Sequence, residues 1–321
     1  MEYALGIDGG GTKTCFLLAD AEGNIVSHAN TSGIDFNYIG VEGVKNVIEG
    51  GVREILGQSG CKLPDITVVC AGIPCFGEYS EWDDICTKYF STLFANAQIK
   101  CVNDVEVGLF GSLALGPGIH LVSGTGAIAF GRNDKGLTAR SGGWSEHFSD
   151  EGSCYWLGMK LCELFTKQSD YRIAKGPLYH IVRQETNIVE DYEFIQYFKD
   201  NLFGNREKLA KMQFLLAKAA NAGDASAIEC YRKAAYELSL SVKAVYIQLQ
   251  FSQQTRVSYS GGLFKSGKLI MEPLKDCLKD LNICLQAPTL TPAEGALLYA
   301  ICIMEQIDIK TAIRHIQNTY K

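Results

Sequence analysis

Two glycine-rich turns, one near the start of the chain and one near its middle, have the composition of anion-binding loops. Residues 7–14 read Ile-Asp-Gly-Gly-Gly-Thr-Lys-Thr and residues 123–126 read Ser-Gly-Thr-Gly, each after an apolar run. Glycine lets backbone N–H groups approach an anion closely, and threonine adds a hydroxyl donor without bulk. Either turn alone is also compatible with a tight hairpin. The presence of both turns favours two loops that contact the same polyphosphate.

The sequence around the two turns repeats. In the first half, a β-rich segment at 13–19 leads to a hairpin signal, Glu-Gly-Asn, at 22–24. In the second half, a segment at 127–132 leads to a turn signal, Asp-Lys-Gly, at 134–136. Because the spacing is alike in both halves, the sequence predicts a duplicated β-meander.

Strand-like runs alternate with helical patterns after each meander, which predicts α/β domains with largely parallel sheets. The predicted strands lie at 66–71, 99–102, 257–259 and 283–285, and the predicted helices at 41–57, 79–95, 105–115, after 265 and at 292–304. We therefore predict two similar α/β domains, at 1–115 and 116–304, that face a cleft.

Two further segments complete the predicted organisation. The pattern between residues 151 and 254 is nearly continuously helical, which predicts a helical insertion in the second domain. Residues 305–321 predict a C-terminal helix that docks on the body. The length of 321 residues also exceeds what one core usually covers.

Composition argues against several classes of protein. The net charge is −6 with dispersed basic residues, so we expect no nucleic-acid surface. No apolar run approaches the ~20 residues of a membrane span, and the N-terminus enters a strand rather than a signal peptide, so we expect a cytoplasmic protein. The 12 cysteines include no Cys-x-x-Cys pair and predict buried, reduced thiols. The five histidines lack zinc-ligand spacing, and the sequence allows a homodimer without requiring one.

The first turn resembles the phosphate loop of the actin, sugar kinase and heat-shock ATPase superfamily, because it links strand to strand. A Walker pattern and a Gly-x-Gly-x-x-Gly turn that opens a helix are both missing. The resemblance implies two RNase H-like domains with ATP between them, Mg²⁺ held by Asp8, and phosphates bound by Gly10, Gly11, Thr12 and Lys13. As an alternative, Asp8 hydrogen-bonds within its own turn.

Further motifs narrow the resemblance. Gly-Gly-Trp at 142–144, Ser-Asp-Glu-Gly-Ser at 149–153 and Tyr-Trp-Leu-Gly at 155–158 resemble the signature of N-acetylglucosamine kinases within the BadF/BadG/BcrA/BcrD ATPase family. Other fragments follow in the expected order from residue 3 to about 304. They are Asn103-Asp104 and the segments 217–224, 260–264 and 292–296.

The resemblance assigns the nucleotide side of the site. Thr125 and Gly126 would contact the transferring phosphate, and Gly261 and Gly262 would lie in the adenosine loop. Ala220 would lie beside the adenine. ATP and Mg²⁺ are the implied cofactors.

Asp104, which follows a predicted strand, is the candidate catalytic base for the acceptor hydroxyl. The alternative is that it caps the next helix. The resemblance also makes Asp150 a ligand of the sugar, with Gly143, Trp144 and Ser145 lining the same pocket. As alternatives, Asp150 is explained by the dipole of a helix that starts there, and Trp144 by burial in a core.

The sugar-binding segment departs from the family pattern. Relatives carry an asparagine four or five residues before a turn glycine, whereas here Asp35 lies five residues before Gly40 and Asn37 three. Ser149 also replaces the usual glycine, which leaves the identity of the sugar open. A carboxylate at 35 favours a free amine, as in glucosamine, unless Asp35 is a turn residue.

The resemblance thus implies an ATP- and Mg²⁺-dependent amino-sugar kinase that phosphorylates the 6-hydroxyl of N-acetylglucosamine, N-acetylmuramic acid or glucosamine. The alternative enzyme is the ATPase that activates a radical dehydratase, which needs cysteines for an iron–sulfur cluster. Cys70 and Cys75 are the nearest pair, but the sugar-side motifs argue against this activity. A sugar-responsive regulator would need an added DNA-binding segment, and the chain begins directly at the first strand.

Overall fold

The computed structural model describes residues 2–319, which form two compact units. The first unit contains the residues up to Gly116 and those from Ala287 onward, and the second unit is Pro117–Gln286. Within the described residues, no helix combines the length and the apolar character needed to cross a membrane.

The first unit is built on a five-stranded mixed sheet. Its strands are β1 (Tyr3–Gly9), β2 (Lys13–Asp20), β3 (Ile25–Ser32), β4 (Ile66–Ile73) and β5 (Gln98–Asn103), in the order β3-β2-β1-β4-β5. The first three strands form an antiparallel meander, and β4 and β5 continue parallel to β1. The sheet therefore carries the loops after β1, β4 and β5 at one edge.

α1 (Phe36–Ser59) lies between β3 and β4, α2 (Ser80–Leu93) lies between β4 and β5, and α3 (Asp104–Ser112) follows β5. α1 buries Val44, Ile48, Val52 and Ile55, which recur at three- and four-residue spacing and so share one face. The backbone at Gly40 is non-helical (φ 66°) and separates the first turn of α1 from the rest.

The second unit repeats this arrangement. Its strands are β6 (Gly118–Ser123), β7 (Ala127–Arg132), β8 (Thr138–Gly142), β9 (Thr255–Ser260) and β10 (Ile283–Gln286), in the order β10-β9-β6-β7-β8. As in the first unit, an antiparallel meander is followed by two parallel strands. The structure confirms the predicted α/β class and the duplicated meander.

Six helices stand between β8 and β9, where the first unit has α1 and a three-residue 3-10 helix, Leu63–Asp65. They are α4 (Cys154–Ser169), α5 (Pro177–Thr186), α6 (Glu193–Asn201), α7 (Arg206–Lys211), α8 (Gln213–Asn221) and α9 (Ala225–Leu249), and α10 (Lys268–Leu278) then links β9 to β10. α9 packs on β7 and β8 and buries Tyr231, Leu238 and Val245.

The last two helices, α11 (Pro292–Met304) and α12 (Ile309–Thr319), pack in the first unit. A Cβ added at Gly6 of β1 would lie 2.4 Å from the backbone nitrogen of Leu297, so α11 rests directly on the sheet. This differs from the sequence-based division, which placed residues up to 304 in the second domain. Chain adjacency to β10 suggested that division, but α11 is apolar on nearly all sides and is buried between β1 and α3. Of the predicted C-terminal helix, 320 and 321 lie outside the described residues.

Candidate active site

The first glycine turn joins β1 to β2 and is closed by its own backbone. The N–H of Gly10 donates to the carbonyl of Lys13 (2.9 Å), and the N–H of Ile34 donates to the carbonyl of Gly10 (3.0 Å). A Cβ at Gly33 would lie 2.2 Å from the carbonyl oxygen of Gly11, so the chain after β3 packs tightly on the turn. Gly11, Thr12 and Lys13 remain exposed. The turn can therefore receive an anion with backbone donors and one cationic side chain.

Asp8 lies on β1 just before this turn, in register with Cys15 on β2 and Gly72 on β4. Burial raises the pKa of Asp8 to about 6, and the charge of Lys13 opposes that rise only in part. The negative charge of Asp8 is only partly offset by its protein surroundings, so this carboxylate is suited to bind a divalent cation. Mg²⁺ in phosphate sites commonly takes one or two carboxylates, water and the phosphates themselves.

Asp104 is the first residue of α3, at the carboxyl end of β5. Asn103 is the N-cap, since its Oδ1 accepts the N–H of Val105 (3.2 Å), and its Nδ2 donates to the carbonyl of Phe76 (2.8 Å). Asp104 Oδ1 accepts the same N–H at 2.9 Å. Asn103 occupies the N-cap position and shares the Val105 N–H with Asp104 Oδ1, which leaves the second oxygen of Asp104 for other chemistry.

The charge environment of Asp104 suits a proton acceptor. Burial, together with the nearby carboxylates of Asp8, Glu78 and Asp35, raises the pKa of Asp104 to about 7 against the hydrogen bond from Val105. Gly72 separates Asp8 from Asp104, because a Cβ there would lie 3.4 Å from Asp104 Cα. A base works best when its pKa is close to the working pH, which this environment provides.

Asp35 and Asn37 lie at the start of α1. Asp35 is the N-cap, and its Oδ1 accepts both the backbone N–H and the side-chain Nδ2 of Asn37, each at 3.0 Å. Asn37 Nδ2 also lies 3.7 Å from Cys75 Sγ in the loop before α2. The structure brings the two predicted sugar residues together, and it gives Asp35 the local hydrogen bonds of a turn residue as well.

The second glycine turn joins β6 to β7 and is tied to the segment before α4. Ser123 Oγ donates to the carbonyl of Gly152 (2.9 Å), and the N–H of Cys154 donates to the carbonyl of Gly124 (2.8 Å). The N–H of Ala127 donates to Asp150 Oδ1 (3.1 Å). The turn that carries Thr125 is thus braced from outside.

Asp150 is 3% exposed and has a left-handed backbone (φ 62°), which is unusual for a residue with a side chain. Its Oδ2 accepts a charge-assisted hydrogen bond from Arg206 Nη2 (2.6 Å). A Cβ at Gly126 would lie 2.9 Å from Oδ2 and 3.0 Å from Arg206 Nη2. α4 begins only at Cys154, with Ser153 as N-cap, so the interpretation of Asp150 as part of the first helical turn is wrong.

The predicted pocket residues 143–145 lie between β8 and Asp150. The carbonyl of Gly143 accepts from Arg140 Nη2 (3.2 Å), and Ser145 Oγ accepts the N–H of His147 (3.3 Å). Trp144 is 75% exposed, with the Arg140 guanidinium 5.7 Å from its ring centroid. The alternative that Trp144 is a core residue is therefore wrong.

Of the predicted nucleotide-side residues, Gly261 lies in a surface loop and Ala220 lies in the protein core. A Cβ at Gly261 (φ 109°) would lie 2.2 Å from the carbonyl oxygen of Ser123, so the loop after β9 packs on the second turn. His120 joins the strands before these two loops, with Ser258 Oγ 2.8 Å from Nδ1 and Ser260 Oγ 2.9 Å from Nε2. Ala220 is buried near the end of α8, so its own side chain faces the protein core.

The model of the BadF/BadG/BcrA/BcrD ATPase family matches residues 5–300 of the chain. The chain belongs to this family. The N-acetylmuramic acid/N-acetylglucosamine kinase of Clostridium acetobutylicum is 31% identical over 262 residues, covering 82% of this chain and 85% of the relative. The N-acetyl-D-glucosamine kinase of Dictyostelium discoideum is 25% identical over 314 residues, covering 94% of this chain and 98% of the relative.

Solved structures share the fold of this family member. A proposed N-acetylglucosamine kinase from Chromobacterium violaceum has a TM-score of 0.74 at 23% identity, covering 93% of this chain and 98% of that one. A ROK family glucokinase from Streptomyces griseus was solved with glucose and AMPPNP. It has a TM-score of 0.56 at 15% identity, covering 95% of this chain and 100% of that one. They confirm the predicted sugar kinase and actin-like ATPase fold.

Sequence reasoning missed three residues near the predicted site loops of this family member, which lie on α7, on β6 and in the turn before α2. Arg206 pairs with Asp150, His120 links β6 to β9, and Glu78 adds charge beside Asp104. Arg206 and His120 belong to no motif singled out from the sequence, and their partners are 56 and at least 138 residues away. The sequence contained no local signal for them.

Proposed function

We propose that this protein is an ATP- and Mg²⁺-dependent amino-sugar kinase. The observation that carries the proposal is the placement of Asp104, a carboxylate with a pKa raised to about 7 beside Asp8 and a glycine turn in the same unit. Phosphoryl transfer requires positioning, charge compensation and a group that orients and accepts the proton of the acceptor hydroxyl. The names of the two curated relatives support an amino-sugar acceptor.

Each part of the site then has a task. Asp104 accepts the proton of the sugar hydroxyl, and Asp8 would hold Mg²⁺. The metal, when bound, offsets negative charge on the phosphates. Backbone N–H groups of Gly11 and Thr12 bind phosphate oxygens, and the exposed Lys13 ammonium adds positive charge.

The acceptor is a neutral or cationic amino sugar in this proposal. Asp8, Asp35, Glu78 and Asp104 make this region of the first unit negative. A carboxylate-bearing acceptor such as N-acetylmuramic acid would meet repulsion there unless a cation offsets it. We therefore rank N-acetylglucosamine and glucosamine ahead of N-acetylmuramic acid and, as the family resemblance implies, place the phosphate on the 6-hydroxyl.

A coupled assay of ADP release across a panel of free sugars tests this function. We expect the highest kcat/KM with N-acetylglucosamine or glucosamine, and phosphorus–proton coupling in the product spectrum should locate the phosphate on C6. Equal ADP release with and without every sugar would contradict the proposal. Brown colour after anaerobic purification, together with sugar-independent ATP hydrolysis, would support the dehydratase activator instead.

We place this kinase in the cytoplasm with the sugar as its partner.

A further inference from the structure

Arg206 occupies a fixed position beside the second glycine turn. It is the first residue of α7, and α7 is held against α4 because a Cβ at Gly158 would lie 1.9 Å from the carbonyl oxygen of Leu209. Its Nη2 donates to Asp150 Oδ2 at 2.6 Å and lies 3.0 Å from the position of a Cβ on Gly126. The guanidinium therefore bonds to the predicted sugar ligand and lies beside the predicted phosphate turn.

Three groups face the Asp150 carboxylate and act on its charge. Burial raises the pKa of Asp150, the Ala127 N–H and the Arg206 guanidinium lower it, and the carboxylate of Glu146 raises it. Glu146 also competes for the cation, since its Oε2 lies 3.8 Å from Arg206 Nε. That Nε is buried and has no hydrogen-bond partner among the described residues.

We propose that Arg206 is a positioning residue of the acceptor site, which holds Asp150 ionised and aimed so that one carboxylate braces the second glycine turn and accepts a sugar hydroxyl. Each carboxylate oxygen can accept more than one hydrogen bond, so the bonds from Ala127 and Arg206 leave capacity for a hydroxyl donor. This inference rests on the proposed kinase function, because Asp150 is a sugar ligand only in that function.

The geometry distinguishes this role from that of a surface ion pair. Asp150 is nearly fully buried, and a buried carboxylate without its cation takes up a proton instead. A protonated Asp150 would present an O–H donor on one side and weaken its hold on the Ala127 N–H. Loss of Arg206 should therefore disturb the sugar contact and the phosphate turn together, and raising the pH should restore both in part.

The test measures the protonation of Asp150 directly by NMR titration and indirectly through the pH dependence of activity. The Asp150 ¹³Cγ resonance, assigned by comparison with Asp150→Asn, is titrated in the wild type and in Arg206→Met, Arg206→Lys and Glu146→Gln. In parallel, the kcat/KM for the acceptor is measured as a function of pH. Arg172→Met is the matched control, because Arg172 forms an exposed ion pair with Asp170 in the same unit.

We expect Arg206→Met to raise the pKa of Asp150 by about 1 to 3 units and to lower kcat/KM for the acceptor near neutral pH by about tenfold or more, with recovery as the pH rises. Arg206→Lys should give an intermediate result. Glu146→Gln should move the acidic limb of the kcat/KM profile to lower pH, opposite to the shift expected for Arg206→Met. Arg172→Met should match the wild type.

An unchanged Asp150 titration in Arg206→Met would overturn the inference. So would a shifted titration that leaves the pH profile of kcat/KM unchanged. Should Arg206→Met fail to fold, the opposite shifts expected for Arg206→Lys and Glu146→Gln decide the question. If the wild type phosphorylates no amino sugar, the proposed function fails, whereas the titration still shows whether Arg206 controls the charge of Asp150.

Discussion

The two glycine turns share a backbone design but differ in how the protein treats the charge beside them. The first turn is exposed at residues 11–13, and two carboxylates of its unit, Asp8 and Asp104, have a raised pKa, chiefly because of burial. The second turn is braced by residues 150–154, and its carboxylate, Asp150, is paired with Arg206. In the proposed function, the first unit keeps its carboxylates available for a metal and a proton, while the second unit uses an ion pair to hold its loop in place.

The largest expected effect tests the available charge in the first unit. Asp104→Asn keeps the shape of the side chain and leaves the Asn103 cap intact, but removes the proton acceptor. We expect turnover to fall by about 10²- to 10⁴-fold, with nucleotide affinity close to that of the wild type. Because the pKa of Asp104 is raised to about 7, wild-type kcat/KM should also fall as the pH drops below 7. Turnover, nucleotide binding and thermal unfolding are measured on the same preparation.

Glu81→Gln is the matched control for this substitution, because Glu81 is an exposed carboxylate of the same unit in the first turn of α2. It should retain wild-type turnover. A turnover of Asp104→Asn within threefold of the wild type would remove Asp104 from the mechanism.

The second expected effect is that titratable groups of the two units change stability with pH in opposite directions. His120 is 1% exposed and burial lowers its pKa to about 4 from 6.5, so stability should be lost as the pH falls from 6.5 towards 4, by roughly 3 kcal/mol. In the folded protein the pKa values of Asp8 and Asp104 are about 6 and 7, above the ordinary aspartate value of 3.8. Their contribution to the free energy of unfolding is therefore lost as the pH rises from about 4 through 7. Urea unfolding across this pH range measures both slopes.

His120→Gln should flatten the slope below pH 6.5, and Asp104→Asn should increase stability above pH 7. His28→Gln serves as control, because His28 is an exposed histidine on β3. If His120→Gln retained the full wild-type slope between pH 6.5 and 4, the buried imidazole would not be its source.

A third experiment compares a glycine of the braced turn with one of the open turn. Gly126→Ala would place a methyl group 2.9 Å from the Asp150 carboxylate, whereas no described residue other than its chain neighbours lies within 4 Å of a Cβ at Gly11. We expect Gly126→Ala to lower the thermal midpoint and to reduce kcat/KM by about 10- to 100-fold. Gly11→Ala should keep the wild-type midpoint, although its nucleotide affinity can change. Equal midpoints for the two variants would show that the bracing contacts do not constrain the second turn.

The smallest expected effect concerns the acceptor. Asp35→Asn retains a residue that caps α1 well but removes one negative charge from the region of Asp104. The ratio of kcat/KM for glucosamine to that for N-acetylglucosamine should fall by about two- to fivefold. Asp308→Asn is the control, since Asp308 accepts the N–H groups of Lys310 and Thr311 in the same way in the first unit. A ratio equal to that of the wild type would reduce Asp35 to a capping residue.

The amino-acid sequence by itself determined the α/β class, the duplicated meander and the two glycine turns. These features follow from the period of apolar residues and from turn residues a few positions apart, so local sequence is sufficient to predict them. The family motifs then pointed to Asp8, Asp104 and Asp150.

Only the tertiary structure decided what surrounds those residues. Asp150 meets Arg206 across 56 positions, and His120 meets Ser258 and Ser260 across 138 and 140. The structure also placed α11 in the first unit and left Trp144 exposed. Such contacts depend on how helices and strands pack and on which way a side chain points, and neither is encoded in the spacing of nearby residues. Burial and charge pairing, which set the pKa of each carboxylate, therefore became visible only once the chain was folded.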